Sequence, residues 1–315
     1  MCLNGFGGKE MKIDVFAHVW LPEFKKRMLM LDDDLLAKYP FARHPDLDNL
    51  ALRREHAQSD VRQIVSYINT NPEDYMAGKM AALLVRKANE ELLETVKAND
   101  DLFYGAVAML ALNNIDESLN ILEDTVLAHK EMLGVQLFTR HLGKSVADEA
   151  FRPIISTCAK LGIPIWLHPV FDERKPDNNI VFSWEYEQSQ AMLQLVQAGY
   201  FQEFPDLKII VHHAGAMAPY FAGRIEHILP KELAADFKKF YVDTALLGNS
   251  KALELAVDYF GVEHVLFGTD APLGIAPAGA TKEIIAAIEQ LPLSSQDKEA
   301  IFTTNIERLV RRKGC

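Results

Sequence analysis

The chain has 315 residues, 49% of them hydrophobic, and a formal net charge of −11. That composition suits a globular protein with one large core or two ordinary ones, and excludes disordered, collagenous and coiled-coil architectures. The acidic balance argues against a nucleic-acid or anionic-membrane surface, and no apolar run reaches the roughly 18 residues of a membrane helix.

Residues 1–10 (MCLNGFGGKE) carry no apolar signal core and read as a flexible extension before a single domain over 11–315. Beyond them, short β-rich apolar runs alternate with longer helical patterns. Strands are expected at 12–19 (KIDVFAHV), 61–68, 103–110, 133–139, 163–168, 207–213, 240–246 and 264–270. Helical spacing fills 77–98, 116–130, 147–161, 187–200, 249–259, 278–290 and 295–312. Alternating strands and helices imply right-handed βαβ units and a parallel sheet. Eight such units fit an α/β fold of the (β/α)8 TIM-barrel type. The doubly wound alternative lacks its usual GxGxxG after the first strand. Two long connections, 20–58 and 169–186, leave the C-terminal ends of strands, where barrels carry lids and substrate contacts. The three cysteines, Cys2, Cys158 and Cys315, are odd in number and lack CxxC spacing, which fits a reducing, cytoplasmic setting.

Four expected strand ends carry polar chemistry: His18, His168 in WLHP, His212 and His213 in VHHAGAMAP, and Asp270 in FGTDAP. Each alone is an ordinary surface, capping or core residue. Together they fall at the one rim on which barrel strands converge, and their imidazole and carboxylate donors suit Zn²⁺, Mn²⁺ or Fe²⁺. Side chains alternate along a strand, so one of His212 and His213 is expected at the mouth and the other under the outer helices.

On these residues and longer stretches the chain resembles the amidohydrolase-related family of the amidohydrolase superfamily. That family includes 2-amino-3-carboxymuconate-6-semialdehyde decarboxylase and γ-resorcylate decarboxylase. The matching stretches are IDVFAH (13–18), GVQLFT (134–139), LGIPIWLHP (161–169), FPDLKIIVHHAGAMAPYFAGRI (204–225), VLFGTDAP (265–272) and NIERL (305–309). The resemblance implies a divalent metal on His18, His168 and Asp270, Zn²⁺ first and Mn²⁺ or Fe²⁺ as alternatives. It also implies Asp270 and His213 as catalytic groups, a small carboxylic acid as substrate, and a homo-dimer or homo-tetramer. The departure is Phe16, which stands where the family's opening HxH motif has its first histidine and offers no ligand atom. Nonoxidative decarboxylation of an aromatic or unsaturated acid is the favoured reaction. Hydrolysis of a lactone or amide uses the same groups, and a metal-free, non-catalytic barrel is the reading that Phe16 admits. Arg140 and His141 after the fourth strand, Trp184 after the fifth-strand loop, and Arg54 beside Arg53 are the expected substrate contacts.

Overall fold

The structure of the chain, a computed structural model, describes residues 11–170 and 180–311; the extension at 1–10 and the polar run DERKPDNN lie outside the described residues. Seven strands form one parallel sheet in the order β1-β2-β3-β4-β7-β8-β9. They are β1 (Lys12–Val19), β2 (Val61–Tyr67), β3 (Phe103–Ala108), β4 (Met132–Phe138), β7 (Ile165–His168), β8 (Ile209–Val211) and β9 (Tyr241–Val242). Between β4 and β7, β5 (Arg140–His141) and β6 (Lys144–Ser145) make a small antiparallel hairpin.

The expected strand at 264–270 is not a regular strand. It is a bridging segment with isolated pairings, Val242 to Val265 and Ala17 to Ala271. The Leu266 amide donates to Val242 O (2.8 Å), the Val15 amide to Phe267 O (2.8 Å) and the Asp270 amide to Phe16 O (2.7 Å). The segment therefore lies between β9 and β1. Its approach is close: a Cβ on Gly268 would stand 2.7 Å from the Asp243 Cβ and 3.1 Å from the Phe16 Cβ, so only glycine fits there.

Parallel strands covered on both faces need apolar residues on both. The larger apolar cluster fills the space between sheet and helices. The helix Gly78–Ala98 turns Ala81, Val85, Ala88, Leu92 and Val96 inward at helical spacing. Its buried Asn89 exchanges two hydrogen bonds with the Met109 backbone (2.8 and 3.0 Å), which satisfies a polar group that burial would otherwise penalise. A second, smaller cluster sits inside the curl of the sheet, with Ile13, Val15, Phe16, Ile64, Val107, Trp166, Ile210 and Leu266. Trp166 fixes its place there by donating Nε1–H to Val15 O (2.9 Å). No helix among the described residues is long and apolar enough to cross a membrane.

Candidate active site

The site begins with an irregularity in β1. Asp14 pairs with Gln63 and Ala17 with Val65, so β1 carries one residue more than β2 over this span. Such a bulge re-aims side chains. Val15 and Phe16 both enter the inner cluster, and His18, one residue before the strand ends at Val19, is 1% exposed. The His18 Nδ1 faces Ser66 Oγ at 3.3 Å. Its Nε2 lies 3.2 Å from Asp270 Oδ1, yet is buried without a hydrogen bond of good geometry.

A buried polar chain braces these two residues. Arg53 donates from Nη1 to His18 O (2.7 Å) and Asp46 O (3.0 Å), and from Nε to Gln63 Oε1 (2.9 Å). Gln63 donates in turn to Asp14 Oδ2 (3.2 Å). Asp14 also accepts from the Thr269 hydroxyl (2.6 Å), the Thr269 amide (3.0 Å) and the Phe16 amide (3.1 Å). Burial pushes the Asp14 carboxyl up to about 7, against these donated bonds. Every contact supplies a hydrogen and none supplies an acceptor, so the geometry favours the carboxylate. Burial lowers Arg53 to about 10, with Asp14 and Asp46 opposing the drop, so it stays charged at neutral pH.

The remaining imidazoles are each held by one nitrogen. His168 Nδ1 meets Pro169 O at 2.7 Å. His212 Nδ1 meets Asp243 Oδ2 at 2.7 Å, and its buried Nε2 has no partner. His213 Nδ1 meets Glu185 Oε1 at 2.7 Å. Burial, reinforced by neighbouring His18 and His212, holds His168 well below the usual imidazole range. Burial lowers His212 as well, with Asp243 opposing it. For His213 burial also pulls down, but Glu185, then Asp270 and Asp243, together outweigh it and carry the group up to about 9.

The alternation expected for His212 and His213 does not hold, because β8 stops at Val211 and the chain turns left-handed at His213 (φ 55°), Ala214 (φ 56°) and Gly215 (φ 77°). Both imidazoles consequently face the inner cluster, and His212 does not pack under the outer helices. Asp270 is left-handed too (φ 63°). Non-glycine residues in that region cost on the order of 1–3 kcal/mol each and gather at functional sites.

Phe16 lies among all four rings. Its centroid is 3.5 Å from His212, 4.7 Å from His18, 5.6 Å from His168 and 5.9 Å from His213. In kind, neutral imidazoles and a carboxylate suit a divalent ion. In geometry they do not close. Ligands around one ion at about 2.0–2.2 Å lie within roughly 4.4 Å of each other. Among the described residues, the group of potential ligands whose donor atoms all come within 4.8 Å of one another is Asp32, Asp33 and Asp34, and not His18, His168 and Asp270. Within the expected ligand set, His18 Nε2 stands 3.2 Å from Asp270 Oδ1, and the His18 ring meets the His168 ring edge-on with centroids 5.1 Å apart.

A cleft of about 810 Å³ opens over Asp270 and His213. Its walls include Phe41, Arg43, His44, Trp184, Leu247 and Ile275. The Trp184 ring stands 5.9 Å from His168 and 6.0 Å from Phe41. Of the four expected substrate contacts, Trp184 lines this cleft. Arg140 does not; its Nε is bound to Glu187 Oε2 at 3.0 Å. His141 is sealed away, with Nδ1 2.5 Å from Glu73 Oε1 and Nε2 accepting from the Phe138 amide (2.9 Å). Arg54 is at the opposite end of the sheet, paired with Asp101 (2.7 and 3.0 Å) just before β3. Sequence reasoning passed over Asp14, Asp243, Glu185, Arg43 and His44. The two aspartates had a readable signal: an acid inside an apolar strand run must be paired to be buried.

The family profile described as "Amidohydrolase" matches residues 13–312. The 6-methylsalicylic acid decarboxylase of Penicillium expansum is 30% identical over 203 residues, 58% of this chain and 61% of that protein. The 2-amino-3-carboxymuconate-6-semialdehyde decarboxylase of Dictyostelium discoideum is 29% identical over 218 residues, 63% of this chain and 59% of that protein. The chain thus spans about three fifths of the length of these curated relatives. A solved 5-carboxyvanillate decarboxylase from Novosphingobium aromaticivorans, with bound manganese and 3-methoxy-4-hydroxy-5-nitrobenzoic acid, superposes with a TM-score of 0.81 at 18% identity, covering 97% of this chain and 98% of that one. At that identity the likeness is one of fold.

Proposed function

The chain belongs to the amidohydrolase family, and from that premise we propose that it is a nonoxidative decarboxylase of a small aromatic or unsaturated carboxylic acid. The observation that carries the reading is the placement of His213 and Asp270 on the wall of one aromatic-lined cleft. The names of the relatives point the same way. In this reading the segment at 265–271 is the eighth stave of a (β/α)8 barrel, which puts both groups at the C-terminal rim.

The substrate ring lies against Trp184 and Phe41, and its carboxylate meets Arg43 and His44. His213 is oriented through Nδ1 by Glu185, which leaves Nε2 for the cleft. It delivers a proton to the carbon that bears the carboxylate. The C–C bond then breaks, its electron pair returns to the ring, and CO2 departs with the proton in its place. Asp270 keeps a negative charge beside the imidazolium and accepts a hydrogen bond from a substrate hydroxyl. No step passes through the expected zinc, since the donor set does not close on one ion.

The test is a panel of hydroxybenzoic, aminobenzoic and unsaturated dicarboxylic acids assayed for CO2, beside a panel of lactones and amides. CO2 release that disappears in His213→Asn supports the reading. Turnover of a lactone or amide with no CO2 from any acid overturns it.

A further inference from the structure

We infer that this chain works without the kind of divalent ion bound in the similar solved decarboxylase, because the phenyl ring of Phe16 fills the volume in which its imidazoles would otherwise share a metal. The inference rests on the decarboxylase reading for its substrate class, but not for its statement about metal. Phe16 is 2% exposed and belongs to the inner cluster with Val15 and Trp166. On one side it stacks on His212, with the rings 13° from parallel. On another it meets His18 edge-on at 80°. Its backbone is fixed as well: its amide is bound to Asp14 Oδ1 (3.1 Å) and its carbonyl accepts the Asp270 amide (2.7 Å). The ring therefore has no nearby place to go, and moving it would open a cavity in a packed core. A phenyl face has no lone pair to give. With the ring in place, the donor atoms of His18, His168 and Asp270 do not all come within 4.8 Å of one another, although His18 Nε2 and Asp270 Oδ1 stand 3.2 Å apart.

The consequence for chemistry is a limit on substrates. With no Lewis acid to accept charge, the ring must itself tolerate protonation at the carbon that carries the carboxylate. That favours hydroxy- or aminobenzoates, whose ortho or para donor stabilises the protonated ring. The balance is one aromatic carboxylate and one proton to one arene and one CO2.

The experiment is elemental analysis of the full chain as purified, and again after incubation with excess Zn²⁺ or Mn²⁺ and gel filtration, with Phe16→His alongside. The expected result is substoichiometric metal in the unmodified chain under both conditions and an unchanged Tm. Phe16→His should retain close to one metal per chain and gain Tm in its presence. Near-stoichiometric metal in the unmodified chain, lost in His18→Ala, overturns the inference. So does a folded Phe16→His variant that still takes up none. If Phe16→His does not fold, the unmodified chain's metal content and Tm decide alone. A chelator should leave CO2 release from a hydroxybenzoate unchanged, and loss restored by Zn²⁺ or Mn²⁺ also overturns it. If no acid is decarboxylated while the chain remains metal-free, the functional reading fails and the metal inference stands.

Discussion

Arg53 holds the main-chain carbonyl of His18 through a 2.7 Å hydrogen bond, although the two are 35 residues apart and Arg53 lies in the last helix before β2. The same guanidinium reaches Asp14 through Gln63, and Asp14 reaches Thr269 next to Asp270. One buried cation thus sets the position of both ends of the His18–Asp270 pair.

Replacing Arg53 with Met should therefore be costly. It leaves the His18 and Asp46 carbonyls and the Gln63 side chain buried without their donor, at about 1–3 kcal/mol for each unsatisfied group. Arg53→Lys should lose less, because the charge survives while the fork of donors does not. Urea unfolding of the two variants checks this, and equal stability to the parent would show that the polar chain carries no load.

The acid role given to His213 fixes the sign of a pH effect. A proton donor must be protonated, so kcat/KM should hold steady at neutral pH and fall as pH rises through about 9. Glu185→Gln removes the closest negative charge, which lowers the proton affinity of His213 and moves that limb to lower pH. A limb that stays in place in Glu185→Gln would detach it from His213.

Asp270→Asn should reduce kcat by about 10²–10⁴-fold, the range for loss of a positioned proton-transfer or charge-stabilising group, with KM little changed. Circular dichroism of the variant should match the parent, since the Asp270 amide, not its side chain, bonds to Phe16. Near-normal turnover would remove Asp270 from the chemistry.

Arg43 and Arg54 give a paired comparison. Arg43→Ala should raise KM about tenfold with kcat largely kept, as expected when an interaction serves substrate and transition state alike. Arg54→Ala should alter neither, because its partners Asp101 and Asn99 stand at the far end of the sheet. Steady-state kinetics on any accepted acid separates the two.

Much of the strand framework was legible, because parallel strands buried on both faces leave uninterrupted apolar runs. KIDVFAHV matches β1 residue for residue, with His18 next to its last residue, and His168 is the last residue of β7. What was hidden depends on tertiary contact. The bulge that turns Phe16 inward is invisible to a two-residue period. The left-handed turn at His213 defeats alternation in the same way. Arg53 and Arg54 are neighbours on one short helix, and no local rule says that the first is buried against His18 and the second faces solvent. The segment at 264–270 reads as a strand in composition, but Gly268 and the close approach of Asp243 leave it only isolated bridges.

The docking of the 265–271 segment against β1 has a consequence for assembly. The same segment that brings Asp270 to His18 is bound to Asp14 through the Thr269 amide and hydroxyl. A chain truncated before Thr269 would therefore keep its histidines but have no carboxylate opposite His18, so the pair depends on the first strand and this late segment being present together.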